Sequence, residues 1–360
     1  MPDLEIHQQL KSALDTFLDP ETARPLSKTG QVSDWVVTDG HVRCRLSLSS
    51  IFQPIACEVA DRLRDHLLAS VPGLKGVEIS LDTLHRPAAA IGQIGLKAKA
   101  VIAVAAGKGG VGKSTLAAGI ALTLERLGAR TGLMDADVYG PSIPHLLGLE
   151  GRPEIREGKI QPICSGTMPV MSMGFLVGRD QAVVWRGPML HGSITQFLRD
   201  TNWGELDYLV IDMPPGTGDV ALTLSQLLPL TGAVIVCTPQ EVALLDAGKA
   251  MAMFEKTKVP ILGIVENMSG FTDPDSGKTF DIFGRGGARS KAEEMGVPFL
   301  GEVPIQIPLR SESDVGRLAE ILKNPRIAKP FEDVCRALAR SVADQIAARP
   351  SVGAPLPVLG

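Results

Sequence analysis

The sequence predicts an α/β protein: a mostly parallel sheet with helices on both faces, preceded by a small α+β domain. Three observations carry this. From Val101 onward, short apolar runs rich in β-branched residues alternate with helical patterns. The first of those runs leads straight into a glycine- and lysine-rich loop and then a helical stretch. The opening residues have another texture, in which a period-2 run sits between two amphipathic segments. Continuous apolar strands joined by crossovers belong to parallel sheets covered on both sides.

The first domain is read as residues 1–85. A helix carries Leu4, Leu10, Leu14 and Phe17, and strand-like runs follow at Asp34–Val37 and Val42–Leu48. The dipeptide Asp39-Gly40 between them is a hairpin signal. Val42, Cys44, Leu46 and Leu48 alternate with Arg43, Arg45 and Ser47, as in a half-buried strand, so Cys44 is expected in the core. Pro54 is expected to open a helix with Ile55, Val59, Leu63 and Leu67 on one face, and Val77–Leu81 reads as a third strand. Residues 86–99, RPAAAIGQIGLKAK, hold no sustained period and read as a linker.

The second domain is read as residues 100–348. Its strands are expected at Val101–Ala105, Thr131–Met134, Tyr208–Ile211, Ala233–Val236 and Ile261–Val265. Helices are expected at Lys113–Leu127, Val220–Leu228, Val242–Lys256 and about Phe331–Ala347. Residues 349–360, rich in proline and glycine, read as a flexible tail.

Composition narrows the function. The 360 residues are 44% hydrophobic and 21% charged, ordinary for a globular chain with a sizeable core. The formal net charge of −4 and the absence of a like-charge block give no footprint for nucleic acid. No uncharged apolar stretch is long enough to span a bilayer, and MPDLEIHQQLKSALDTF lacks the basic start and apolar run of a secretory signal. The five cysteines, Cys44, Cys57, Cys164, Cys237 and Cys335, form no C-x-x-C pair and signal neither a disulfide framework nor a zinc site. A reducing, cytoplasmic setting is expected. His145 and His191 stand alone, without metal-ligand spacing.

The strongest chemical signal is Gly107-Lys108-Gly109-Gly110-Val111-Gly112-Lys113-Ser114-Thr115, a match to G-x-x-x-x-G-K-[ST] between a strand and a helix. Such glycines let backbone N–H groups curl around phosphate oxygens, and the following helix points its N-terminus at the anion. Lys113 is placed to reach the β- and γ-phosphates of ATP and Ser114 to ligate Mg²⁺. Two acidic blocks follow other strands: Asp135-Ala136-Asp137 and Asp212-Met213-Pro214-Pro215. Carboxylates at the C-terminal ends of strands face the ligand crevice of an open α/β sheet. Asp212 is therefore expected at the Mg²⁺, through water, and Asp137 is placed to orient the attacking water.

The second lysine, Lys108, makes the loop resemble the deviant Walker A of the MinD/ParA class. Together with Trp185-Arg186-Gly187-Pro188, Thr238-Pro239-Gln240-Glu241 and Glu266-Asn267-Met268-Ser269, the chain from about Lys99 to Gly316 resembles the Mrp/ApbC family. That resemblance implies a P-loop ATPase that carries iron–sulfur clusters. It further implies a homodimer in which Lys108 crosses to the partner's nucleotide, a role for Asn267 at the adenine edge, and iron–sulfur assembly proteins and client apoproteins as partners. The first domain resembles the small iron–sulfur assembly domain often fused before such ATPases.

The chain departs from that pattern at the metal. The family continues after ENMS with a C-x-x-C pair, and here Asp273 and Ser276 stand in those places. Gln53 likewise stands where the front domain usually has a cysteine. Thiolates suit iron–sulfur clusters, whereas carboxylate and hydroxyl favour hard ions, so the residues name no ligand set for a cluster. Asp-Pro and Ser-Gly are also strong turn dipeptides, and an ordinary turn is expected there. Cys237, ending a strand near the ligand edge, is the remaining thiol to consider, although it and Cys335 also fit a core. Three functions stay open. They are an iron–sulfur carrier ATPase, a nucleotide-dependent scaffold without its own cluster, and a ParA/MinD-like positioning ATPase. The last is disfavoured by the charge and by a tail that is not a basic amphipathic helix.

Overall fold

The structure is a computed structural model that describes residues 3–91, 94–137, 140–175, 187–273 and 276–348. The expected tail 349–360 and the pair Trp185-Arg186 lie outside these residues, as do Val138, Tyr139, Pro274 and Asp275. The described chain folds as two compact units. One runs to Arg86 and includes the helix end from Ala339, and the other is Pro87–Leu338. The sequence reading carries the second domain to residue 348, ten residues past that division.

The first unit contains α1 (Asp3–Leu14), α2 (Leu26–Thr29), β1 (Val32–Thr38), β2 (His41–Ser49), α3 (Ala56–Ser70) and β3 (Gly76–Leu84). The three strands form one sheet in the order β1-β2-β3, antiparallel then parallel. Asp39 and Gly40 both take positive φ, 51° and 81°, and close the two-residue hairpin. Val42, Cys44, Leu46 and Leu48 of β2 face inward, where Val59, Leu63 and Leu67 of α3 are also buried. Pro54 does not open the helix. It lies inside the 3₁₀ turn Ser50–Ile55, and α3 starts two residues later at Ala56.

The second unit begins inside the expected linker. β4 (Ala90–Ile91) pairs antiparallel with β5 (Leu96–Ala105), so the strand starts five residues earlier than read. Leu96, Ala98 and Ala100 are buried while Lys97 and Lys99 alternate with them, a short period-2 signal masked by the small and charged residues. The order continues with α4 (Lys113–Arg126), β6 (Thr131–Asp135), α5 (Ile143–Leu146), β7 (Glu154–Arg156), β8 (Lys159–Gln161), β9 (Ile163–Ser165) and β10 (Met168–Ser172). Next come α6 (Gly187–Asp200), β11 (Leu206–Asp212), α7 (Asp219–Leu227), β12 (Gly232–Cys237), α8 (Glu241–Lys256), β13 (Ile261–Thr272) and β14 (Thr279–Phe280). The unit closes with α9 (Gly287–Met295), β15 (Phe299–Ile305), α10 (Ile307–Asp314), α11 (Leu318–Ile321) and the first part of α12 (Pro325–Ala348).

Among the described residues ten strands join one sheet, in the order β14-β13-β12-β5-β11-β6-β10-β9, with β15 on β13 and β4 on β5. The central pairs β12–β5, β5–β11, β11–β6 and β6–β10 are parallel. One face packs Val101, Ala103, Leu209 and Ile211 against residues of α6, α7 and α8, including Phe197, Leu224 and Phe254. On the other face lies α4, whose Gly119 meets the ring of Phe331 so closely that an added Cβ would fall 2.2 Å from it. The C-terminal ends of β5, β6, β10 and β11 thereby form one edge, from which the loops of interest emerge.

A buried acid organises the first unit. Asp19 is 1% exposed and accepts from Arg86 Nη1 and the Thr22 hydroxyl, each at 2.7 Å, and from Gln31 Nε2 at 3.2 Å. Replacing it by alanine removes the acceptor these donors share, leaving Arg86 only Glu21 and Gln31 only the Ser47 carbonyl. Asp19→Ala is expected to cost about 3 kcal/mol. Native-state hydrogen exchange should then speed up in β1–β3 while β5 and β11 keep their protection. Unchanged protection in β1–β3 would show that the cluster contributes nothing.

Candidate nucleotide site

The loop Gly107–Gly112 leaves the central strand β5 and enters α4 at Lys113. Two glycines are dictated by space. A Cβ on Gly107 would lie 2.0 Å from the backbone oxygen of Asp246 in α8. Gly112 has φ +79°, and a Cβ there would lie 2.2 Å from Asn267 Nδ2. No other residue lets the loop pass between α8 and β13. Gly109 and Gly110 are exposed at the tip, and Val111 is buried beneath it. Thr115 follows Ser114 in the first turn of α4.

Lys113 is 7% exposed, and its Nζ lies 2.5 Å from Asp212 Oδ1 and 3.3 Å from Ser114 Oγ. Asp212 ends β11, is fully buried, and its Oδ2 has no hydrogen-bond partner among the described residues. Burial pushes its carboxyl up, while Lys113 and Ser114 hold it down. Asp135 ends β6 in register with Asp212. Burial first, and then the charge on Asp212, push the Asp135 carboxyl up to about 7. Asp137 follows, 7% exposed, and accepts the Gly140 N–H at 3.3 Å. Three acids thus stand at this edge of the sheet, and the buried Lys113 pairs with one of them, Asp212. Such a deficit of positive charge fits a hard divalent cation, and the unpartnered Oδ2 beside the Ser114 hydroxyl supplies oxygen donors suited to Mg²⁺. No group of three or more His, Cys, Asp or Glu among the described residues could hold a metal ion by itself.

The other wall is β13. Glu266 is fully buried and accepts from the N–H groups of Gly286 and Ala288, each at 2.8 Å, which caps the start of α9. The Ser269 hydroxyl lies 2.7 Å from both Glu266 Oε1 and Glu302 Oε2. Between them, Asn267 Nδ2 donates to the Val111 carbonyl at 2.8 Å, and Met268 takes φ +58°. Asn267 therefore rests against the phosphate loop. Lys108 is half-buried and makes no ion pair among the described residues. Beyond this wall, β13 and β14 form a hairpin. The Ser276 hydroxyl donates to Asp273 Oδ2 at 2.5 Å, and Gly277 N–H donates to the Asp273 carbonyl at 2.9 Å.

Sequence reasoning selected Asp212 and Asp137 but gave no role to Asp135 or Glu266, although both stand inside the motif blocks. The signal was available for Asp135: it closes a strand, as Asp212 does.

Residues 97–339 match the family described as NUBPL iron-transfer P-loop NTPase. The chain belongs to this family. Residues 7–81 match the family described as iron-sulfur cluster assembly protein. The chain is 45% identical over 359 residues to the iron-sulfur cluster carrier protein of Deinococcus radiodurans, covering 98% of this chain and 100% of that one. It is 41% identical over 349 residues to the protein of the same name from Synechocystis, covering 93% and 95%. It is 46% identical over 249 residues to the iron-sulfur cluster transfer protein NUBPL of Dictyostelium discoideum, covering 68% and 77%. Among solved structures, a nucleotide-binding protein of Archaeoglobus fulgidus in complex with ADP is 43% identical, with a TM-score of 0.57, covering 62% of this chain and 89% of that one. The MinD cell division ATPase of Pyrococcus furiosus, 20% identical with a TM-score of 0.50, covers 67% and 98% and shares the fold.

Within this NUBPL-type frame the thiols divide cleanly. Cys44, Cys237 and Cys335 are buried, whereas Cys57 and Cys164 are exposed. Burial pushes the Cys44 thiol up to about 11 and, with the nearby Glu266 charge, the Cys237 thiol up to about 12. Burial also raises Cys335, whose Sγ lies 3.6 Å from the Ile120 carbonyl. Cys237, although near the ligand edge, is thus held protonated, and metal ligation and alkylation both need the thiolate. With iodoacetamide at pH 8, Cys57 and Cys164 should label in the native protein, and the other three only after unfolding. Peptide mass spectrometry checks this, and native labelling of Cys237 would contradict the core assignment.

Proposed function

We propose that this chain is an ATP-dependent iron–sulfur cluster carrier. It binds Mg-ATP at Gly107–Thr115, hydrolyses it slowly, acts as a homodimer, and passes clusters from assembly proteins to client apoproteins in the cytoplasm. The observation that carries the nucleotide half is the convergence of Lys113, Ser114 and Asp212 at the mouth of the glycine loop. The carrier half is supported by relatives of that name whose likeness extends over nearly the whole chain.

In this reading Lys113 leaves Asp212 for the phosphates, and Ser114 and Asp212 hold the Mg²⁺, the latter through water. The cation supplies charge neutralisation of the polyphosphate. Asp137 orients the attacking water, Lys108 reaches the partner's nucleotide, and Asn267 turns to the adenine edge. The cluster is cargo. The hairpin offers it hard oxygens already hydrogen-bonded to one another, and this favours a second reading in which the chain is a scaffold without a cluster of its own.

Two experiments test these readings. Lys113→Ala should lose nucleotide affinity and turnover together. Lys108→Ala should lower turnover more than affinity, because a group acting on transition-state charge affects the rate selectively. Wild-type behaviour of Lys113→Ala in calorimetry and phosphate release would sink the nucleotide assignment.

The second experiment is anaerobic reconstitution of the wild type beside Asp273→Ala/Ser276→Ala. Neither protein should hold a stable [4Fe–4S] cluster at the hairpin, since the serine hydroxyl must lose a proton far less acidic than that of a thiol near 8.5. A stoichiometric visible chromophore in the wild type that vanishes in the double variant would overturn this.

A further inference from the structure

Ser172, Asp135 and Asp212 end three adjacent parallel strands at one level of the sheet. Asp135 pairs in register with Ser172 on β10 and with Asp212 on β11. In-register residues of parallel neighbours project to the same face. Asp212 is balanced by Lys113, whereas Asp135 has no cation and is satisfied by neutral donors. Its Oδ1 accepts the N–H of Asp137 at 3.1 Å, and its Oδ2 accepts the N–H of Ile143 at 3.2 Å and the hydroxyl of Ser172 at 3.0 Å. Ser172 Oγ in turn accepts the N–H of Gly174 at 2.9 Å. One fully buried carboxylate therefore ties down both ends of the segment 137–143 and, through Ser172, the chain leaving β10.

We propose that Asp135 is a positioning residue for ATP hydrolysis, which sets the placement of Asp137 by holding both ends of its loop and is itself aligned by Ser172. This rests on the reading of Asp137 as the residue that orients water. Asp135 does not do that work itself, because its oxygens are occupied by three donors and it is sealed from solvent. Its chemistry nevertheless matters to the loop. Only a carboxylate presents two acceptor oxygens at once, and both are used. An asparagine there must turn its NH₂ toward one of the backbone N–H groups and release that end. A fold that needed only a strand terminus would gain from a neutral residue, since a buried acid beside Asp212 is electrostatically unfavourable.

The test compares Asp135→Asn, Ser172→Ala, Ser172→Thr and Asp137→Asn in full-length protein, measuring kcat, KM and ATP affinity. Asp135→Asn should lower kcat by roughly 10- to 100-fold, the scale of an ångström-level misplacement, with ATP affinity within about threefold of wild type. Ser172→Ala should lower kcat a few-fold, and Ser172→Thr should restore it because it keeps the hydroxyl. In an Asp137→Asn background, Asp135→Asn should cost nothing further, since its effect passes through Asp137. A general structural defect would instead multiply the two losses. If Asp135→Asn fails to fold, the alanine and threonine variants of Ser172 carry the same comparison. Turnover lost in Asp137→Asn but intact in Asp135→Asn and Ser172→Ala overturns this inference alone. Multiplicative losses, or kcat and affinity falling in step, also overturn it. Absence of turnover in the wild type, or turnover untouched by Asp137→Asn, overturns the hydrolytic reading and this inference with it.

Discussion

The site depends on one buried cation. Lys113 sits at the first turn of α4 with its ammonium 2.5 Å from Asp212, and two more acids, Asp135 and Asp137, close the same edge. Each acid arrives by a different strand end, and the register of β6 against β11 puts Asp135 and Asp212 side by side. Burying acids is unfavourable, and the upward shift of both carboxyls expresses that: burial first, then a neighbouring carboxylate, Asp212 for Asp135 and Asp137 for Asp212. The sheet tolerates it because Lys113 neutralises one acid while N–H and hydroxyl groups solvate the other. A polyphosphate that draws Lys113 away must therefore bring compensating positive charge, which a divalent cation provides. The same balance links the lysine, the serine and the acids into one unit.

The close approaches around the loop follow from the same arrangement. The loop runs between the backbone of α8 and the side chain of Asn267, leaving no room for a Cβ at Gly107 or Gly112. Glu266, one residue before Asn267, is locked by two backbone N–H groups and by Ser269. The wall of β13 beside the glycine loop is thus held by a satisfied polar network, the kind that fixes one arrangement rather than several.

Much of this was legible because the signals were local. The β5–loop–α4 unit is written in consecutive residues, and Asp212 follows an unbroken apolar run, so its place at a strand end could be read. What was hidden depends on pairing between distant segments. Leu96–Ala100 has a period-2 pattern too short to stand out among lysines and alanines, and only its pairing with Ala90–Ile91 and β11 makes it a strand. Pro54 reads as a helix start in the sequence, whereas the α-helix begins at Ala56 after a 3₁₀ turn that contains the proline. The roles of Asp135 and Glu266 require knowing that Ile143, Ser172, Gly286 and Ala288 come within hydrogen-bond reach, and no spacing in the sequence encodes that.

The hairpin shows where family membership stops deciding chemistry. β13 carries both Asn267, which touches the phosphate loop, and the turn that begins at Asp273, so the nucleotide wall and the hairpin are parts of one strand. In this chain the turn is closed by its own groups: Ser276 donates to Asp273, and the Asp273 backbone pairs with Lys278 and Gly277. A metal that entered here would have to break those bonds and accept hard oxygens where a cluster prefers sulfur. The buried thiols do not relieve this, because each would first have to lose a proton that burial holds firmly. The glycine loop keeps its lysine, serine and buried acid together, while the hairpin has the chemistry of a turn. Any carriage of clusters by this chain has to draw its thiolates from exposed positions or from the proteins it serves.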